Sequence, residues 1–126
     1  MMVWEVISKE FEFPFAPKPY QHHVLDQCPG MRRMLLPAPV GAGKTFMATC
    51  IGLYKAQEFD LDQLVFIVPA SLVVQWGRWF ESVQFAGGHS IDVLLYNGTP
   101  KQREKADLSA SIVIMSPQIF IRDFDR

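Results

Sequence analysis

The sequence predicts an α/β fold, a parallel sheet with helices on both faces, and three observations carry that expectation. Short apolar runs rich in Val, Ile, Leu and Met recur at residues 33–37, 64–68, 91–95 and 111–115. Segments with helical spacing of apolar residues lie between several of them. Gly, Pro, Asn and Ser punctuate the joins. Strands that are apolar throughout and alternate with helices belong to parallel sheets covered on both sides.

Composition bounds what such a fold can do. At 126 residues the chain holds at most one average domain. Twelve Lys and Arg against thirteen Asp and Glu give a net charge of −1. A sequence-blind polycation is excluded, so any nucleic-acid contact must be local. With 49% hydrophobic residues the chain can build a core. No apolar run has the ~20 residues of a membrane span, and Met1-Met2-Val3-Trp4-Glu5 lacks the features of a signal peptide. Cys28 and Cys50 stand far apart without metal-ligand spacing, which points to a reducing cytosol. The expectation is a cytoplasmic chain with no membrane partner, in a bacterial or phage-infected cell.

Val3-Trp4-Glu5-Val6-Ile7 and Phe11-Glu12-Phe13-Pro14-Phe15 alternate apolar with polar residues or proline, which predicts an N-terminal β-hairpin over residues 1–17. Pro14 demotes its second arm to an edge. Pro19 opens a helix at its first turn, with Tyr20, Val24 and Cys28 as its apolar stripe, and Pro29-Gly30 ends it. Residues 33–37 read as a short buried strand. From Thr45 to about Phe59 the pattern is helical, with Phe46, Cys50, Ile51 and Tyr54 on one face. Leu64–Val68 reads as a strand, and Ser71 as the N-cap of a helix carrying Leu72, Trp76, Phe80 and Val83. Gly77 inside that helix is a local defect worth ~1 kcal/mol against Ala. Ile91–Leu95 and Ser111–Met115 are strands flanking a short polar helix at 101–108.

One loop carries chemistry. Ala38-Pro39-Val40-Gly41-Ala42-Gly43-Lys44-Thr45 follows a strand and opens a helix, and it fits the Walker A pattern with Ala at its first position. Glycines let backbone N–H groups turn inward around a phosphate, and the helix N-terminus adds its dipole. Lys44 then reaches the β- and γ-phosphates, and the Thr45 hydroxyl ligates Mg²⁺. The nucleotide expectation therefore covers Pro39, Val40, Gly41, Ala42, Gly43, Lys44 and Thr45, with Mg²⁺ and a nucleotide as cofactors. The loop alone does not choose among kinases, GTPases and motor ATPases.

The flanking residues narrow the class. Pro19-Tyr20-Gln21 upstream of the loop, Leu36–Thr45 itself, Val65–Pro69 followed by Leu72 and Gln75-Trp76, Tyr96-Asn97-Gly98-Thr99, and Ile112–Gln118 occur in that order. Together they resemble the first RecA-like lobe of superfamily 2 helicases and translocases, of the DExH/DEAH type, from Lys18 to about Phe120, which implies a partial RecA-like ATP-binding domain over residues 18–126. The resemblance implies a RecA-like P-loop sheet, ATP as the nucleotide, and adenine recognition by Tyr20 and Gln21. It also implies nucleic-acid contacts from Pro69, Ala70 and Ser71 and from Ser116, Pro117 and Gln118, with DNA, possibly RNA, as partner. Backbone N–H and hydroxyl donors at helix starts suit phosphates without a large net charge. Val40 stands where Thr is usual.

The acidic D-E-x-H motif and the second lobe with its arginine finger are missing from the sequence. It therefore reads as C-terminally incomplete, the front piece of an ATPase whose C-terminal remainder is a further partner, and as inactive in hydrolysis alone. Asp123 has no adjoining Glu and follows the 111–115 strand too closely to be that acid.

Blander readings compete at several positions. Trp4 is read as a hairpin core residue, with adenine stacking as the alternative. Phe11, Phe13 and Phe15 are read as core, with a base-stacking platform as the alternative. His22-His23 point about 100° apart on a helix and make a poor metal site. Trp76 and Trp79 are read as core and rim, and Arg32-Arg33 and Lys101–Lys105 as solvated surface. Two rival functions stay open, a P-loop kinase of small molecules and a non-catalytic DNA- or partner-binding remnant. Against the kinase stand the Tyr-Gln helix and the lack of an Arg-rich lid.

Overall fold

The computed structural model describes residues 2–35 and 43–124. They gather into two compact units, Met1–Leu61 and Asp62–Arg126, and each is described by itself.

The first unit holds α1 (Met2–Glu10), the two-residue strand β1 (Phe11–Glu12), α2 (Pro19–Leu25) and α3 (Lys44–Glu58). The predicted first hairpin arm is thus a helix, which corrects the expectation for the N-terminus. Val3 and Ile7 are four apart as well as an even number apart, so a window this short fits both periods. Packing decides between them, because both side chains are fully buried on one face of α1. A distant residue helps start the helix. The Val3 N–H donates to Asp26 Oδ1 at 3.1 Å, satisfying one of the N–H groups that a helix leaves open at its start. At the other end, Gln57 Nε2 donates to Glu10 Oε2 at 2.9 Å.

In α2 the buried stripe agrees with the expected one at Cys28 and is displaced by one residue at the other two positions, from Tyr20 and Val24 to Gln21 and Leu25. Gln21, Leu25 and, just beyond the helix, Cys28 are buried, while Tyr20 is 46% exposed. Gln21 can be buried because its Oε1 accepts the Lys18 N–H at 2.8 Å, which offsets the cost of taking an amide from water. α3 agrees with its predicted span to within a residue at each end, and it buries Phe46, Met47, Thr49, Cys50 and Leu53. Phe46 sits in an aromatic cluster, with ring centroids 6.0 Å from Trp4, 5.8 Å from Phe13 and 4.8 Å from Phe15. Those three aromatics pack on α3, although Phe15 remains 51% exposed.

The predicted strand at 33–37 does not form over its described part. Residues 33–35 are irregular and Leu35 is 90% exposed. Among the described residues no strand takes up their backbone hydrogen bonds, and an apolar run without a ladder partner has no reason to stay extended. Instead, the preceding turn is fastened to the end of α3. Gly30 N–H donates to Glu58 Oε2 at 2.7 Å, and Lys55 Nζ pairs with Glu58 at 3.0 Å and donates to the Cys28 carbonyl. Arg32 and Lys55 lie 5.1 and 5.2 Å from the Phe59 ring centroid. Both cysteines are buried and free. Burial pushes the Cys50 thiol up to about 12, with the nearby Cys28 adding to the shift, so it is not a thiolate near neutral pH.

The second unit is built on a parallel three-stranded sheet in the order β2–β5–β4. Its elements in chain order are β2 (Leu64–Ile67), a 3₁₀ turn (Ala70–Leu72), α4 (Val73–Glu81), β3 (Gln84–Phe85), β4 (Val93–Leu95), α5 (Pro100–Glu104), β5 (Ile112–Met115) and α6 (Pro117–Phe124). Central β5 is buried at every position. Its register sets Leu64 and Val93 beside Ile112 and runs to Ile67 beside Met115. On one face Ile112, Ile114, Leu64, Phe66, Val93 and Leu95 pack against Val73, Trp76, Trp79 and Phe80 from the α4 side. On the other, Val113, Met115 and Leu94 meet Ala106, Ala110 and Ile119.

Helices therefore flank both faces, but the second cover is partial. Val65 and Ile67 on β2 stay 47% and 45% exposed. Ser71 is not the N-cap of α4, since a 3₁₀ turn takes residues 70–72 and Leu72 occupies the cap position. Gly77 has a packing reason. A β-carbon there would come within 2.9 Å of Leu95 Cδ2 and 3.0 Å of Cδ1, so the bare backbone lets α4 lie close on β4. The ~1 kcal/mol helix penalty is offset by that approach. α5 is shorter than expected, and α6 fills a stretch assigned to no element from sequence.

Candidate nucleotide and nucleic-acid sites

In the first unit the described part of the Walker loop is its last three residues. Gly43 adopts a left-handed conformation, φ 80° and ψ 40°, at the N-cap of α3. A side chain in that region is strained, and a β-carbon would collide with Gln21 Nε2. Glycine thus lets the chain turn into α3 directly against the Gln21 carboxamide. Because the cap residue has no side chain, the first N–H groups of α3 receive no side-chain cap of their own. They are the donors a helix start offers to an anion. Lys44 is the first helical residue and is exposed, and Thr45 is half-buried beside it. One turn on, Thr49 Oγ1 donates to the Thr45 carbonyl at 2.8 Å. Pro39, Val40, Gly41 and Ala42 lie outside the described residues.

The structure thus brings Gln21 against Gly43, at the entry to Lys44 and Thr45, with Tyr20 exposed on the same short helix as Gln21. These residues suit the cofactors the motif implies. The N-cap carries no side chain of its own, the Lys44 cation stands beside it, and Thr45 supplies a hydroxyl of the kind Mg²⁺ accepts.

In the second unit the parallel register carries the chain out at one edge of the sheet after each strand. Pro69, Ala70 and Ser71 follow β2, Asn97-Gly98-Thr99 follows β4, and Ser116, Pro117 and Gln118 follow β5. Ligands of open α/β sheets bind beyond the carboxyl ends of the strands. Pro69, Ala70, Ser71, Pro117 and Gln118 are exposed there, whereas Ser116 is 3% exposed. Ser116 Oγ accepts the Ile119 N–H at 3.3 Å, so this hydroxyl caps α6 and is turned inward.

The same edge holds a polar cluster not expected from the sequence. Arg103, placed with the solvated charges, is 5% exposed. Its Nε donates to Asp123 Oδ2 at 2.8 Å, its Nη2 to Asp123 Oδ1 at 3.3 Å and its Nη1 to the Gly98 carbonyl at 2.8 Å. Tyr96 completes it by donating its hydroxyl to Asp123 Oδ2 at 2.7 Å. The Arg103 guanidinium and then the Tyr96 hydroxyl hold the Asp123 carboxyl below its ordinary range.

A pH dependence with a definite sign results. A depressed folded-state value stabilises the fold above the unfolded value of ~3.9 and ceases to as pH falls through the folded one. Urea unfolding of the wild type and Asp123→Asn should differ by a constant amount above roughly pH 5 and converge in acid. A stability gap that persists unchanged in acid would show that the carboxylate charge is not what holds the cluster.

Among the described residues no three His, Cys, Asp or Glu side chains gather as a metal site, and no helix is long and apolar enough to cross a membrane.

Comparison with known proteins settles the family. The family model described as DEAD/DEAH box helicase matches residues 18–126, most of the chain. The chain belongs to the DEAD/DEAH box helicase family. It corresponds to the N-terminal region of a superfamily 2 helicase, and helicase domains of this family are ATP-dependent. Among solved structures, this DEAD/DEAH chain is similar to the Sulfolobus solfataricus SWI2/SNF2 ATPase core in complex with dsDNA. The two superpose with a TM-score of 0.71 at 19% identity, over 90% of this chain and 24% of the other. At that identity the likeness concerns the RecA-like fold, and this chain spans about a quarter of the neighbour's length. No curated protein matches it.

Proposed function

We propose that this chain is the ATP- and nucleic-acid-binding front part of an ATP-dependent DNA helicase or translocase. The observation that carries the reading is the left-handed Gly43 at the bare N-terminus of α3, packed against a buried Gln21 within a DEAD/DEAH helicase match. Bound ATP supplies the anhydride whose cleavage drives such motors, and Mg²⁺ neutralises its phosphates. The residues of this chain bind and orient. Backbone N–H groups at residues 40–45 would cradle the phosphates, Lys44 would meet the β- and γ-phosphates, and the Thr45 hydroxyl would ligate the metal. Tyr20 and Gln21 recognise the base. Pro69, Ala70 and Ser71 and the start of α6 at Pro117 and Gln118 grip phosphates of the strand, with Ser116 shaping that loop from inside. The dsDNA held by the structural neighbour favours DNA over RNA as the partner.

Gln21 supplies the test. A carboxamide presents a donor and an acceptor side by side, which matches one edge of adenine and mismatches guanine. Gln21 Oε1 already accepts the Lys18 N–H, so its second lone pair and the Nε2 donor would supply the two hydrogen bonds, which at ~0.5–1.5 kcal/mol each set a preference of roughly tenfold for ATP over GTP. Gln21→Ala should erase that preference in competition titrations. A variant that folds and still discriminates would assign base recognition to Tyr20 or Trp4.

A further inference from the structure

We propose that Arg103, Asp123 and Tyr96 form a positioning device that fixes α6 and the loop after β4 as one edge for gripping a nucleic-acid backbone. The inference rests on the nucleic-acid reading above and adds three residues which that reading does not use. Among the described residues α6 is thinly packed. None of the helix's eight residues is buried, and Phe120, Ile121 and Phe124 are 40%, 58% and 41% exposed. Its anchors are the Ser116 cap at one end, the half-buried Ile119, a ring contact of 5.6 Å between Phe124 and Tyr96, and the Asp123 cluster at the other end.

An eight-residue helix so thinly packed takes its direction from its polar anchors. Arg103 supplies one of them from a nearly closed site and with unusual economy. One face of its guanidinium grips both Asp123 oxygens, and the remaining nitrogen holds the Gly98 carbonyl. Gly98 follows β4 and α6 follows β5, two adjacent strands whose ends open at the same edge. One side chain therefore ties the loop after β4 to the far end of the helix that follows β5. Buried ion pairs are weak contributors to stability, because desolvation consumes much of the attraction, and their best-attested use is to fix a register. A planar fork that cannot be deprotonated suits that use better than a lysine does.

The device acts on Pro117 and Gln118 through α6, so none of the three residues touches the ligand. The experiment titrates a short fluorescent duplex with the full chain by anisotropy at several salt concentrations, with thermal melts and Mg-ATP titrations alongside. Asp123→Asn, of the same shape, should weaken duplex binding about five- to tenfold. It should also flatten the dependence of log K on log salt by about one unit for each phosphate no longer gripped, with ATP affinity unchanged. The charge exchange Arg103→Asp with Asp123→Arg should restore part of both. Should Asp123→Asn fail to fold, Tyr96→Phe, which removes one hydroxyl and keeps the ring, should show a smaller change in the same direction. A variant that melts earlier yet binds duplex with unaltered affinity and salt slope would overturn the inference and leave a purely structural ion pair. If the unaltered chain does not bind duplex, the nucleic-acid reading fails and this inference with it.

Discussion

Lys44→Ala will cost the chain its Mg-ATP binding and leave its fold intact. Lys44 is the first residue of α3, exposed, beside the bare left-handed cap at Gly43. In the proposed complex it serves two phosphates. Each hydrogen bond to a charged group is worth ~1.5–3 kcal/mol, so losing two together lowers affinity by roughly 10²–10⁴. The fold has no comparable stake in the side chain, because an exposed residue gives up little packing and Ala is the better helix former. Displacement of a fluorescent ATP analogue, paired with a thermal melt, reads both halves. Equal affinity in a variant with an unchanged melt would remove Lys44 from the phosphate site.

The second large effect is an absence of turnover. Residues 1–126 alone should hydrolyse ATP at a rate indistinguishable from background, with or without DNA. Hydrolysis in P-loop enzymes needs a carboxylate behind Mg²⁺, a group orienting the attacking water, and a cation for the transition state. An arginine finger by itself is worth roughly 10³–10⁵ in rate. No Asp-Glu pair occurs in the sequence, and Asp123 is engaged by Arg103 and Tyr96 on α6. Asp123→Asn should therefore change duplex affinity and leave the absence of turnover as it was. DNA-stimulated hydrolysis that disappears in Asp123→Asn would identify Asp123 as the catalytic acid and contradict its structural role.

What was legible in the sequence was local. The Walker spacing set the start of α3 to within a residue, because glycine, lysine and threonine are required at fixed offsets there. The strands at 64–67, 93–95 and 112–115 are legible as apolar runs bounded by turn residues. The run at 33–37 has the same pattern, but its described part stays irregular, because a strand also needs a ladder partner that the pattern does not name. The N-terminal helix is not legible in the sequence because Val3 and Ile7 satisfy two periods at once, and what decides is the face that α1 buries, together with Asp26 twenty-three residues away. The stripe of α2 slipped by one at two positions because a buried Gln21 reads as polar until its partner at Lys18 is known.

Non-local pairs left no sequence signal at all. Arg103 and Asp123 are twenty residues apart, and each sits among other charges that look like solvated surface. Gly77 looked like a flaw in a helix. The explanation lay in Leu95, on a strand the sequence does not say is adjacent.

In the proposed function the Gly43–Thr45 turn and Gln21 together make an adenine nucleotide site. Calorimetric titration of Mg-ATP and Mg-GTP into the unaltered chain tests it most directly. One saturable site is expected for ATP, with GTP weaker by roughly tenfold. Absence of saturable binding for either nucleotide, or equal affinity for both, would contradict it.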